Sequence, residues 1–195
     1  MATWFLFDKL FGVATLVGSG EKRCRKKLPL AAPGVMKLQP ISLETLSLIR
    51  HSASLPPHER FSQPEFLHVA FSGEYRSGAE GKPDALYITS TMAALDTAWY
   101  SKAFIVDLTE LTFDWGDEMS WLWDIGYQQT FRAQRPLAVI VGDGCRAALQ
   151  TLDPDEYKLH AVESFDDALA SIRRQKPKYD AKVAAFHEAF RNRNS

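Results

Sequence analysis

The residue types best suited to chemistry fall at one glycine-rich turn and along one acidic, tryptophan-bearing run. In VGDGCRAAL, Gly142, Asp143, Gly144 and Cys145 stand between an apolar stretch and a helix-forming one. Glycines at such a junction free backbone amides to meet an anion where a helix begins. A cysteine there has its thiol pKa lowered, which is the setting of a nucleophile. The thiol would also need a base, and His68 and His160 are the nearest candidates by strand position. Together these would suit an α/β acyl-transfer or crotonase-like enzyme acting through Cys145. The Lys-Ser/Thr pair of a phosphate loop is missing, however. A tight turn holding a small buried cysteine is the favoured reading, with no catalytic residue assigned.

The second set is Asp114, Trp115, Asp117, Glu118 and Trp121, followed by Trp123, Asp124 and Tyr127. Carboxylates alone hold Mg²⁺ only with substrate phosphates or further ligands. Neither is evident, so no metal and no cofactor is expected. Residues 114–134 read as a helix with Met119, Leu122 and Ile125 on its inward stripe. Positions two apart on a helix point about 200° apart, so Trp121 and Trp123 cannot both face inward. Exposed tryptophan ringed by charge is what a protein interface offers. Asp114, Trp115, Asp117, Glu118 and Trp121 are therefore the candidate partner-binding residues, and Gly142, Asp143, Gly144 and Cys145 the candidate anion-binding turn.

The elements that would carry these residues alternate. Strands read at 66–74, 103–109, 136–142 and 157–162, the middle two with continuous apolar cores as in strands buried on both faces. Helices read at 86–99, 114–134, 144–152 and 165–174, with a further terminal helix over 176–195. Ser164 is the N-cap of FDDALASIRR, with Asp166 and Asp167 in its first turn. This alternation predicts an α/β fold, a small mixed β-sheet with helices packed against it, over residues 63–195. Residues 1–62 read as an N-terminal extension, proline-rich and partly irregular. Six of the ten prolines fall between 28 and 66, and a single helix is expected after Ser42, in LETLSLIRH.

Bulk properties exclude several classes. Lys+Arg 23 against Asp+Glu 24 gives no basic face for nucleic acid. Cys24 and Cys145 are too few for a disulfide framework or a zinc knuckle. No run of 18 apolar residues predicts a transmembrane helix. The apolar stretch 3–17, followed by basic residues from Lys22 to Lys27, would suit contact of residues 3–27 with an anionic membrane surface. A loosely docked extension is the favoured reading.

At Gly73-Glu74, then Ile105-Val106-Asp107-Leu108 with Phe113, and finally Ser164-Phe165-Asp166-Asp167-Ala168-Leu169, the chain resembles the STAS domain. That module is shared by sulfate transporters and bacterial anti-sigma-factor antagonists. The resemblance spans roughly residues 66–175 and implies a STAS-like fold and a non-enzymatic protein–protein interaction module, cytoplasmic, in bacterial signalling and regulation. Its implied partner is an anti-sigma-type kinase or another STAS protein, with self-association as a further option. In antagonists a serine in the turn before the helix accepts phosphate. With Phe113 aligned, Asp117 falls at that position, where a carboxylate either imitates the phosphate charge permanently or only caps the helix.

Overall fold

The structure is a computed structural model and describes residues 39–57 and 62–193. The 3–27 stretch, with its membrane-surface expectation and Cys24, lies outside the described residues. Three strands with apolar cores build the centre: β2 (Leu67–Glu74), β3 (Phe104–Thr112) and β6 (Leu137–Val141). They run parallel in the order β2-β3-β6. β6 is buried along its whole length, as a strand covered on both faces must be. An antiparallel strand β1 (Arg50–Ser54) edges the sheet beside β2, and the two-residue β7 (Ala161–Val162) edges it beside β6. The α/β class expected from sequence is thus what the chain forms.

Side-chain alternation divides the core between the two faces. Leu67, Val69, Phe71, Val106, Leu108, Val139 and Val141 meet α1 (Lys82–Trp99), a 3-10 helix at Asp117–Asp124 and Leu149 of α2 (Arg146–Leu152). Ala103, Ile105, Ala138 and Ile140 meet Ala168 and Ile172 of α4 (Phe165–Arg193). Buried Asp84 fastens the loop after β2. It accepts bonds from the Arg76 backbone, the Arg76 guanidinium and Ser47 Oγ.

Four expected elements are corrected. The helix after Ser42 is one 3-10 turn, Leu43–Thr45, followed by β1. Leu48 is 91% exposed while its neighbour Ile49 is buried in the core, the alternation of an extended chain and not of a helical stripe, and pairing with β2 continues it. The compact unit consequently begins at Pro40, inside the expected extension. The helix over 114–134 is the eight-residue 3-10 helix plus a hairpin, β4 (Tyr127–Gln128) and β5 (Ala133–Gln134). Gly126 ends it at φ +82, with the Phe104 ring 2.6 Å from where a Cβ would stand. Gln134 Nε2 donates to the Trp123 and Ile125 carbonyls, which a helix would have bonded internally. The strand at 157–162 shrinks to β7, because Asp153 caps a helix, α3 (Pro154–His160), with Pro154 in its first turn. The two C-terminal helices are one, α4, which continues through Pro177. Its start is as expected, Ser164 Oγ accepting from Asp167 N at 3.2 Å.

Candidate interaction face

β3 ends at Thr112, and the next residue, Phe113, is buried and edge-on to Tyr75 at 5.1 Å. The chain then turns outward. Trp115 is 62% exposed. Its carbonyl accepts from Gly78 N at 3.1 Å, and its indole lies so close over Gly78 that a Cβ there would stand 2.7 Å from the ring. The loop is therefore pinned by backbone while the outer side of the ring faces solvent. Gly116 occupies the cap position of the 3-10 helix without a side-chain capping bond, and Asp117 is its first residue. Ser120 Oγ donates to the Asp117 carbonyl at 2.7 Å.

Against this turn stands the outer side of α2. Ala147, Ala148, Thr151 and Leu152 face Phe113, Asp114, Trp115, Gly116 and Asp117 across an open groove of about 530 Å³. No cationic side chain lines it, and the exposed carboxylates of Asp114 and Asp117 set its charge. Glu118 and Trp121 do not line the groove. Trp121 is half-buried and packs on the core, and Trp123 is buried, stacked near His160. Glu118 acts on Tyr75, whose hydroxyl is pushed up to about 12, by burial first and then by the Glu118 and Asp84 charges. The α2 wall went unforeseen. Its small residues carry no chemistry of their own and matter only because the fold sets them opposite Trp115.

The other expected site, Gly142 to Cys145, is built for packing. A Cβ on Gly142 would stand 2.3 Å from the Thr109 carbonyl oxygen, and one on Gly144 2.9 Å from that of Leu111. The glycines let this turn lie directly on β3. The amides of Cys145 and Arg146 are taken by the Gly142 carbonyl, so they do not point at an anion. Cys145 is 1% exposed, and its thiol lies 3.6 Å from the Leu108 carbonyl and 3.5 Å from that of Gly142. Burial raises its pKa, the opposite of what a nucleophile needs. The two expected bases are engaged elsewhere. His160 Nδ1 bonds the Leu137 carbonyl at 3.1 Å, and His68 sits between Ser54, 3.1 Å from Nδ1, and Asp107, 3.6 Å from Nε2.

No family model matches the chain, and no curated protein matches it. Among solved structures, an anti-sigma factor antagonist from Mycobacterium paratuberculosis is similar at 16% identity and a TM-score of 0.44, over 64% of this chain and 95% of that one. The α/β assignment rests on the strand order described above, not on this likeness. No helix among the described residues is long and apolar enough to cross a membrane.

Proposed function

We propose that this protein is a STAS-like, non-enzymatic protein–protein interaction module, working in the bacterial cytoplasm in the manner of an anti-sigma-factor antagonist or STAS scaffold. The observation that carries the reading is Trp115, largely exposed yet pinned through its backbone, on the lip of a groove whose charge is acidic. A rigid exposed indole gives affinity at low entropic cost, and the carboxylates of Asp114 and Asp117 steer a complementary partner. The partner in this reading is an anti-sigma-type kinase or another STAS protein. In this reading Asp117, which falls at the antagonists' phospho-acceptor serine when Phe113 is aligned, supplies a fixed charge that holds the module in one signalling state. The raised thiol pKa of Cys145 and the engagement of both histidines elsewhere speak against the acyl-transfer alternative.

The test uses the full chain as bait in lysate of its native host, beside Trp115→Ala and Asp117→Ser. A specific protein should be retained by the native chain and lost with Trp115→Ala. If that protein is a kinase, Asp117→Ser should become phosphorylated at residue 117 in its presence and the native turn should not. Equal retention by native chain and Trp115→Ala overturns the face. Phosphate at Ser120 of the native chain overturns the role given to Asp117.

A further inference from the structure

The two edges of the sheet are unequal. β7 is two half-buried residues long, whereas β1 has all five residues, Arg50 to Ser54, exposed, and among the described residues it pairs only with β2. Sheets commonly guard an edge by keeping it short, bulged, proline-bearing or charged, because free N–H and C=O groups template another strand. β7 is short. β1 is regular: its register with β2 runs unbroken from Arg50↔Ser72 to Ser54↔His68. Proline comes only after the strand, at Pro56 and Pro57, and Arg50 is its one constitutive charge.

We infer that β1 is a self-pairing edge, two copies of this chain joining antiparallel about a two-fold axis at Ser52. The register follows from the strand itself. Placing Ser52 opposite Ser52 of the second copy is the two-fold arrangement that pairs all five residues. It sets His51 against Ala53 and Arg50 against Ser54, so no like charges meet. Just beyond the strand, Leu48, which finds no core in its own chain, comes opposite Pro56 of the second copy. An axis at His51 would face two imidazoles across the ladder and leave Ala53 and Ser54 without strand partners. An axis at Ala53 would strip Arg50 and His51 of theirs. The product is a continuous sheet of two five-stranded halves. Its junction is one ladder about 17 Å long, small among stable interfaces, so association is concentration-dependent.

The experiment uses the full chain in a Cys24→Ser background, leaving buried Cys145 in place. Directly opposed residues of an antiparallel pair have Cα atoms about 5 Å apart, within disulfide reach. Ser52→Cys should therefore be cross-linked into a dimer by oxidised glutathione. Arg50→Cys should not, because the two copies of residue 50 lie about 13 Å apart along the ribbon. Sedimentation of the native chain should show a concentration-dependent dimer that Ser52→Lys abolishes by facing two ammonium groups on the axis, with far-UV dichroism unchanged. Equal cross-linking of the two cysteine variants, a Ser52→Cys chain that stays monomeric, or a Ser52→Lys chain that dimerises like the native one would each overturn the inference. A Ser52→Cys thiol that is monomeric and shielded from reagent would mean that something other than a second copy covers the edge.

Discussion

β3 and β6 are parallel neighbours, and each runs into a glycine-bearing turn that leads to a short helix. The two turns nevertheless have opposite fates. After β6 the chain folds back on β3 so closely that Gly142 rests on the Thr109 carbonyl and Cys145 disappears into the core. After β3 the chain leaves the sheet, and Trp115 is carried outward on a backbone bond from Gly78. In the first turn the glycines exist for packing. In the second, packing serves to hold a side chain in solvent. Local sequence makes both look like sites, and what lies beside each turn in space separates them.

The largest expected effect breaks the buried turn. Gly142→Ala drives a Cβ into backbone that cannot move aside as a flexible side chain would. We expect a loss of about 3 kcal/mol, near the upper range for overpacking, and a fall in Tm of about 10 °C by calorimetry. The Cys145 thiol, buried in the native chain, should become reactive to iodoacetamide in the variant. A native-like Tm would mean that this turn is not fixed by β3.

The next effect belongs to the open turn. Trp115→Ala should leave Tm nearly unchanged but weaken capture of the partner by about 2 kcal/mol, roughly 30-fold in Kd. Titration calorimetry against the partner and a thermal melt of the free chain check it together. A Tm drop as large as that of Gly142→Ala would make Trp115 core, and the contrast between the turns would fail.

Legibility from sequence followed the same division. β2, β3 and β6 could be read because a continuous or alternating apolar run is a local signal. β1 could not: RHSAS buries nothing, and the ladder to β2 alone makes it a strand. DEMSWLWDIGY has helical spacing, but Gly126 against Phe104 and the reach of Gln134 to two carbonyls stop the helix, and both partners lie outside that run. Asp114, Trp115 and Asp117 were found because they share one turn. A tight turn with a buried Cys145 is likewise the favoured reading of VGDGCRAAL, whereas the opposite wall of the groove is not legible, because it depends on how α2 lies against β3.

The smallest effect concerns the residue that couples the buried turn to β3. The β2–β3 register shifts between Ala70 and Ser72, leaving one extra residue on β3. Asp107 braces that bulge by accepting bonds from Thr109 N at 2.9 Å and from the Thr109 hydroxyl. Its carboxyl is held down to about 2 by the neighbouring His68 first, with Thr109 adding to it and burial opposing. A folded-state value below the ordinary 3.8 means the ionised form is favoured in the native chain. The stabilisation is thus fully present above about pH 4 and is lost as pH falls towards about 2. Asp107 is a quarter exposed, so solvent screening reduces the contribution to about 1 kcal/mol. Asp107→Asn should lower stability at pH 7 by that amount and flatten the acid limb below pH 4 in denaturant titrations. The Thr109 carbonyl is the surface on which Gly142 rests, so acidification should loosen the buried turn before the open one. Amide exchange at residues 142–146, corrected for intrinsic rates, should rise between pH 4 and pH 2 more than at residues 114–118, and Asp107→Asn should erase that difference. Equal loosening of both turns in the native chain would mean that β3 transmits the change to each alike, and that the two turns are one mechanical unit.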